Sequence, residues 1–289
     1  MKISIVTPVY NDWESLNFLI KELNIILKEN NLEIDKIIAV NDGSFQKCPS
    51  KITNNNNIHI INLATNLGHQ RAISIGLCYV NEIFSDTEKV IVMDSDGEDK
   101  PEDIIKLLNE SKNSHSSVVF AERFKRSEGL IFRYSYLTYK LLFKLLTGNK
   151  IRFGNFCCIN KANIEKIISN PDSWNHFSVS VMKSKLDYSY VPTDRGKRYF
   201  GNSKMNFTSL IMHGLSSISL YIERIVVRLL ILNVIFVLFS FVLLTIIFCI
   251  KVFSDYSIPG WTPIYTLGIF NILLFTSIFT LVLVLIQLA

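Results

Sequence analysis

The chain has 289 residues, of which 49% are hydrophobic and 19% are charged, and its formal net charge is +5. The charges are unevenly distributed, because after Arg228 the chain contains only Lys251 and Asp255 among its Asp, Glu, Lys and Arg residues. This asymmetry excludes an ordinary single soluble globule, a disordered chain, a collagen-like repeat and a small disulfide-stapled domain, and it indicates that one part folds in water while another lies in lipid.

The first 122 residues alternate between short β-rich runs and segments with helical apolar spacing. Strands are predicted at 3–6, 36–41, 58–62, 90–94 and 118–122, and helices at 13–30, 70–83 and 101–113. Asn11 or Asp12 precedes the first helix as its predicted N-cap. Such alternation predicts an α/β fold with a mainly parallel sheet covered by helices on both faces.

Three polar clusters follow predicted strands, at residues 8–12, 41–44 and 94–97. Ligands of such sheets bind beyond the carboxyl ends of the strands. In the third cluster, Asp94 and Asp96 point to one side of an extended segment, and two close carboxylates favour a hard divalent cation, Mg²⁺ or Mn²⁺, which also takes substrate phosphates as ligands. Taken alone, however, an Asp-x-Asp pair at a strand end is more often turn and helix-cap chemistry.

The C-terminal half contains segments suited to a membrane. Residues 134–146 combine aromatic and Leu residues with two Lys, which is typical of an interfacial amphipathic helix and equally of a core helix. Residues 206–228 are interpreted as a juxtamembrane amphipathic segment. Two long uncharged stretches follow and predict transmembrane helices at about 229–250 and 264–288.

Basic residues beside the first span indicate the orientation. Arg224 and Arg228 precede it, whereas Lys251 in the following hairpin is matched by Asp255, so the N-terminal domain is expected in the cytoplasm of a multi-pass inner-membrane protein. The five cysteines show no spacing suited to zinc or redox chemistry, and disulfides are not expected in that compartment. The diffuse positive charge does not indicate nucleic-acid binding.

Four motifs occur in order: Thr-Pro-Val-Tyr-Asn-Asp at 7–12, Val-Asn-Asp-Gly-Ser at 40–44, Asn-Leu-Gly-His-Gln-Arg-Ala at 66–72 and Asp-Ser-Asp at 94–96. In this order and spacing they resemble glycosyltransferase family 2. The Gly-His-Gln element and the two C-terminal spans are similar to its polyprenyl-phosphate glycosyltransferases, a group with dolichol-phosphate mannose synthases and bactoprenol glucosyltransferases. The resemblance covers nearly the whole chain and implies a GT-A type nucleotide-sugar-binding domain over residues 1–205, then a two-helix membrane domain over 229–289.

The resemblance also implies roles for individual residues. Asp94 and Asp96 would bind the metal ion, and Arg123 and Arg126 would act with them on the phosphates, for which Arg forks are well suited. The residues implied in nucleotide-sugar binding are Pro8, Tyr10, Asp12, Asp42, Gly68, Gln70, Arg198, Ser203 and Lys204. His69 is interpreted as a loop or cap histidine. Arg195 and Lys197 are left out of the site, because a basic face attracted to lipid headgroups explains them equally well.

Asn155 departs from the family pattern. It stands in a Phe-Gly-Asn-Phe stretch where many relatives carry an acidic residue, so no carboxylate base is present there. A phosphate monoester, whose second pKa is about 6, is already anionic at neutral pH and attacks without losing a proton. Asn155 is therefore assigned to the acceptor region, where it orients a phosphate or a sugar.

These observations favour inverting sugar transfer to a polyprenyl phosphate, such as undecaprenyl phosphate, in cell-envelope glycan assembly or modification. UDP-hexose is the favoured donor and GDP-mannose the second. The alternatives are transfer to a saccharide hydroxyl at the membrane and a nucleotide-sugar-binding scaffold without catalysis. Self-association into a homo-oligomer would bury more surface of so small a membrane domain. The given sequence ends at Ala289 without the basic tail that many relatives carry, so a shortened sequence is expected.

Overall fold

This computed structural model describes residues 1–53, 55–125, 130–149, 154–201, 207–253 and 260–288. The chain divides into two compact units. The first comprises Met1–Leu137 and Ile151–Leu220, and the second comprises Thr138–Lys150 and Tyr221–Ala289. The domain boundaries predicted at residues 205 and 228 remain predictions.

The first unit contains a seven-stranded sheet. Its strands are β1 (Lys2–Val9), β2 (Glu33–Asn41), β3 (Ile58–Asn62), β4 (Lys89–Val92), β5 (Val118–Lys125), β6 (Cys157–Asn160) and β7 (Tyr188–Asp194). Their order is β3-β2-β1-β4-β6-β5-β7, and β6 runs antiparallel to β4 and β5 while the other pairs are parallel. The predicted mainly parallel α/β sheet is therefore confirmed.

Helices cover both faces of this sheet, as predicted. Among the described residues, the α-helices are α1 (Trp13–Glu29), α2 (Ser50–Thr53), α3 (His69–Ile83), α4 (Asp103–Asn113), α5 (Leu130–Thr147), α6 (Ile164–Ile168), α7 (Phe177–Lys183), α8 (Phe207–Ser219), α9 (Ile222–Phe253) and α10 (Trp261–Leu288). One buried core joins α1 and α4 to β1 through residues such as Leu19, Leu107 and Ile5. The other joins α3 and α7 to the opposite face, where Leu77 and Phe177 pack with residues of the sheet.

β1 runs through Pro8, beyond the strand that the sequence predicted at residues 3–6. The paired register of β1 with β4 ends at Val6 and Val92. On that side the Pro8 carbonyl accepts a hydrogen bond from the Ser95 hydroxyl at 3.3 Å. A proline lacks the N–H that a strand donates, and it is tolerated here because the ladder on this side has already ended.

The second unit contains the two long apolar helices. α9 has 32 residues and α10 has 28, and both are long and apolar enough to cross a membrane. Asn233 of α9 donates to Thr280 of α10 at 3.4 Å and accepts from Ser277 at 3.4 Å. Such polar contacts between apolar helices stabilise a hairpin in lipid by about 0.6–2 kcal/mol. The two predicted apolar helices are thus present, are able to cross a membrane and contact each other through polar side chains.

Candidate functional site

The carboxyl ends of β2, β1 and β4 lie side by side, because these strands are neighbours in the sheet. The Asp42 N–H donates to the Val9 carbonyl at 2.9 Å, which joins the ends of β2 and β1. The contact between Ser95 and Pro8 joins the ends of β1 and β4. The three polar clusters found in the sequence therefore meet at one edge, where the connection order of the sheet reverses on either side of β1.

Asp96 lies at the centre of this edge. Its side chain is 15% exposed, and Oδ1 accepts a hydrogen bond from the Glu98 N–H at 2.9 Å. Burial raises the pKa of the Asp96 carboxyl, while the Glu98 N–H and the charge of Arg198 oppose that rise. The Arg198 guanidinium lies 3.1 Å from Asp96 Oδ2 and 3.2 Å from Asp12 Oδ2, so one cation bridges two carboxylates.

Asp94 has a different partner. His69, the first residue of α3, places its Nε2 3.3 Å from Asp94 Oδ1. Desolvation by neighbouring protein lowers the pKa of the His69 imidazole, against the opposing pull of the Asp99, Asp96 and Asp42 carboxylates. Because 41% of the side chain remains exposed, the ring keeps access to a ligand. The sequence interpreted His69 as a loop or cap residue, and the structure pairs it with a predicted metal ligand.

Asp42 holds the turn before α3. Its Oδ1 accepts from the Leu67 N–H at 2.7 Å and its Oδ2 from the Gly68 N–H at 3.0 Å. Gly68 has φ +93°, a conformation that favours glycine. Gly68 was implied in nucleotide-sugar binding, but its N–H faces the protein's own Asp42 carboxylate. Asp42 thus fixes the entry of α3 and, through it, the position of His69.

Both polar atoms of the Gln70 side-chain amide have a partner within the first unit. Its Oε1 accepts from the Phe177 N–H at 2.7 Å, and its Nε2 lies 3.3 Å from His213 Nε2. The His213 ring in turn lies with its centroid 4.5 Å from that of the buried His176, and the two ring planes are tilted by 57°. A nucleotide-sugar contact was predicted for Gln70, but its amide joins α3 to α7 and α8.

Two charged residues that the sequence did not place in the site lie beside it. Arg195 donates from Nε to Glu98 Oε2 at 3.0 Å, next to the Asp96 turn. Arg195 was left out of the site because a basic face attracted to lipid headgroups explains it equally well, and Glu98 was not considered. An acidic residue two positions after Asp96 was the available clue that this turn needs a cation.

The other predicted residues have varied surroundings. Tyr10 is exposed at the edge, Pro8 is buried in β1, and the buried Asn155 Oδ1 has no hydrogen-bond partner among the residues that the structure describes. Arg123 lies on β5, without a described side chain. Arg126, Ser203 and Lys204 lie outside the described residues.

The donor set suits a hard cation that shares its ligands with a substrate. Within the described ranges, no three His, Cys, Asp or Glu side chains converge as a complete metal cage. Mg²⁺ and similar ions commonly use one or two carboxylates, with waters and substrate phosphates as the remaining ligands. Asp12 and Asp96 are partly buried and their charge is balanced by Arg198, which matches that pattern.

Comparisons with known proteins show the family to which the chain is similar. The model of glycosyl transferase family 2 matches residues 4–167. An uncharacterized glycosyltransferase of Bacillus subtilis is 24% identical, covering 98% of this chain and 86% of the relative. An undecaprenyl-phosphate 4-deoxy-4-formamido-L-arabinose transferase of Photorhabdus laumondii is 26% identical, covering 73% of this chain and 65% of the relative.

Solved structures share the fold at low identity. The glucosyl-3-phosphoglycerate synthase of Mycobacterium tuberculosis, in complex with Mn²⁺, UDP-glucose and phosphoglyceric acid, superposes with a TM-score of 0.58 at 15% identity. That match covers 78% of this chain and 79% of the synthase. The mannosyl-3-phosphoglycerate synthase of Rubrobacter xylanophilus gives a TM-score of 0.54 at 15% identity over 78% of this chain and 74% of its own.

Proposed function

Because this chain belongs to glycosyl transferase family 2, we propose that it moves a sugar, with inversion, from a nucleotide diphosphate sugar to a polyprenyl phosphate. UDP-hexose is the first donor to test, GDP-mannose the second, and undecaprenyl phosphate the acceptor. The observation that carries the proposal is the cluster of Asp12, Asp96 and Arg198 at the carboxyl edge of the sheet. It occurs in a chain with two helices able to cross a membrane.

The relatives support the acceptor and the fold neighbours support the donor. The Photorhabdus relative is named for transfer involving undecaprenyl phosphate. The Mycobacterium synthase was crystallised with UDP-glucose and Mn²⁺. A nucleotide-sugar site beside lipid headgroups would bring such a donor and such an acceptor together.

Asp96, with Asp94, would hold Mg²⁺ or Mn²⁺ together with the donor diphosphate. A bound divalent ion supplies neutralisation of the charge that develops on the leaving diphosphate. The Arg198 guanidinium has the fork geometry to bind two phosphate oxygens at once. The acidic edge therefore becomes favourable for a dianionic diphosphate only when cations accompany it.

The acceptor phosphate needs no protein base in this proposal. One of its oxygens forms the new bond to the anomeric carbon while the bond from that carbon to the nucleoside diphosphate breaks on the opposite face, which inverts the configuration. The buried Oδ1 of Asn155, which accepts no hydrogen bond among the described residues, would accept one from a sugar hydroxyl. His69 Nε2 lies 3.3 Å from Asp94 Oδ1, and this imidazole would help to orient that carboxylate.

The test uses the purified full chain with radiolabelled UDP-hexoses, GDP-mannose and undecaprenyl phosphate. We expect an organic-extractable, acid-labile labelled product with one donor in the presence of Mg²⁺ or Mn²⁺. Label that appears only in polysaccharide would support a saccharide acceptor instead.

We expect Asp96→Asn to reduce the transfer rate by on the order of 100-fold, because a charge on the leaving group would lose its stabilisation. Asp86→Asn changes an exposed carboxylate paired with Lys2 and serves as the control, with activity retained. A folded Asp96→Asn protein with the wild-type rate would contradict catalysis at this edge and favour a binding scaffold.

A further inference from the structure

Residues 195–201, here called the cap segment, pack directly on the turn formed by Asp96, Gly97 and Glu98. The Gly196 N–H donates to the Glu98 carbonyl at 2.9 Å, and the Tyr199 N–H donates to the Asp96 carbonyl at 2.8 Å. The ring of Tyr199 lies so near Gly97 that a Cβ added there would meet ring carbons at 2.8 Å. Backbone hydrogen bonds therefore hold the cap segment over the carboxylate edge.

Arg198 projects from this segment into the space between two carboxylates. Its two terminal nitrogens lie 3.2 Å from Asp12 and 3.1 Å from Asp96, and its Nε donates to the Phe200 carbonyl at 3.3 Å. The exposed fractions are 20% for Arg198, 16% for Asp12 and 15% for Asp96. All three charged groups are thus largely withdrawn from water. They therefore interact with one another more strongly than charges at an open surface do.

We propose that Arg198 is an internal counter-cation, which occupies the carboxylate site in the nucleotide-free protein and yields it to a divalent ion when a nucleoside diphosphate binds. This inference rests on the proposed function, since it takes Asp96 as the metal ligand. The exchange involves no covalent step. The guanidinium leaves the carboxylates and takes the diphosphate oxygens as its new partners, so its positive charge is balanced in both states.

The exchange makes binding of the ion and binding of the diphosphate depend on each other. An ion alone must separate Arg198 from Asp96 without giving the guanidinium a new partner, so it binds weakly. An ion that arrives with a diphosphate gives Arg198 two phosphate oxygens, so the same displacement costs less. By linkage, the ion must strengthen diphosphate binding by the same factor.

Replacing Arg198 by Gln separates these two effects. The variant leaves Asp12 and Asp96 without their cation, and we expect Mn²⁺ alone to bind roughly tenfold more tightly than to the wild type. The variant also lacks the guanidinium for the diphosphate, so the enhancement of Mn²⁺ binding by UDP should fall by a similar factor. Replacing a residue that merely stabilised the fold would weaken both the binding of Mn²⁺ alone and its enhancement by UDP. Tighter binding of Mn²⁺ alone together with a smaller enhancement by UDP is therefore diagnostic of the counter-cation.

The measurement is titration of the purified full-length protein with Mn²⁺, with and without UDP, following free Mn²⁺ by electron paramagnetic resonance. Lys197→Gln is the matched control, because it removes one positive charge from an exposed neighbour in the same segment, and it should bind like the wild type. Arg198→Lys keeps the charge but does not bridge two carboxylates as a fork does, and its affinity for Mn²⁺ alone should lie between those of the wild type and Arg198→Gln.

The outcomes separate this inference from the proposed function. Unchanged or weaker Mn²⁺ affinity in both Arg198 variants, with UDP-dependent Mn²⁺ binding retained in the wild type, would overturn the counter-cation role and leave the glycosyltransferase proposal standing. A wild type that binds no Mn²⁺ with either UDP or GDP, or an Asp96→Asn variant that binds it equally well, would overturn both. Tighter binding in Lys197→Gln would overturn the specific role of Arg198, since net charge would then explain the effect.

Discussion

Asp42 combines a charge with a structural task. Both oxygens of its carboxylate accept backbone N–H groups, from Leu67 and Gly68, and the side chain is almost fully buried. Hydrogen bonds to a charged group contribute about 1.5–3 kcal/mol each. A residue implied by the resemblance to hold the donor thus fixes the turn before α3 with both oxygens of its carboxylate.

Asp42→Asn should lower the free energy of unfolding by about 2–3 kcal/mol, because the amide leaves one backbone N–H without an acceptor and removes the charge from the other bond. Denaturant unfolding of the purified protein measures this change. Asp86→Asn alters an exposed ion pair and should change stability by less than about 1 kcal/mol. Unaltered stability of Asp42→Asn with lost UDP binding would instead favour direct contact with the nucleotide.

His176 and His213 lie where three helices of the first unit pack together. Gln70 at the start of α3 contacts the N–H of Phe177 in α7 and the ring of His213 in α8. The His176 ring packs at a tilt against His213. His176 is 3% exposed, and burial, with the nearby His213, lowers its pKa to about 3. At the scale of elements, the packing of α3, α7 and α8 therefore includes a buried imidazole that is neutral at neutral pH.

This dependence predicts an acid-sensitive fold. The unfolded chain takes up a proton on His176 near pH 6.5, whereas the folded protein does so only near pH 3. Stability is thus fully present above about pH 6.5 and declines as the pH falls towards 3, by up to about 1.4 kcal/mol per pH unit from this residue. His176→Asn should flatten the slope of unfolding free energy between pH 6 and 4.

The control for this effect is His115→Asn, which replaces an exposed histidine at φ +52°, a backbone conformation that Asn tolerates. Its pH slope should equal that of the wild type. Parallel slopes for the wild type and His176→Asn would show that other groups cause the acid sensitivity.

At the scale of the whole molecule, the two apolar helices and the basic residues before them decide topology. α9 begins at Ile222 and includes Arg224 and Arg228 in its first two turns, so the cations lie at one end of the span. Positive charges beside a span favour the cytoplasmic side. We therefore propose that the first unit faces the cytoplasm and that the link between α9 and α10 faces the opposite side.

Reporter fusions test this orientation. Alkaline phosphatase joined after Arg228 should be inactive, and the same enzyme joined after Gly260 should be active, because it folds only outside the cytoplasm. Green fluorescent protein at the same two positions should give the reverse pattern. Active phosphatase after Arg228 would contradict a cytoplasmic site.

The sequence by itself determined the parallel sheet, its covering helices and the two apolar spans, because apolar periodicity and run length are local properties. It also predicted which polar clusters meet, since parallel neighbouring strands bring their carboxyl ends to one edge. The short antiparallel β6 and the exposed edge strand β7 were missed. The first is only four residues long, and the second alternates mostly between exposed and half-buried residues, so neither gives a strong pattern.

Only the tertiary structure decided which side chains share a contact. Arg198 and Asp12 are 186 positions apart in the chain, and no local pattern indicates that the guanidinium lies between Asp12 and Asp96. In the same way, the amide of Gln70 meets Phe177 and His213 in the interior. A charge or a hydrogen-bonding group takes the partner that folding brings to it, and that choice depends on the whole chain, because the large majority of buried polar groups in native structures are hydrogen-bonded.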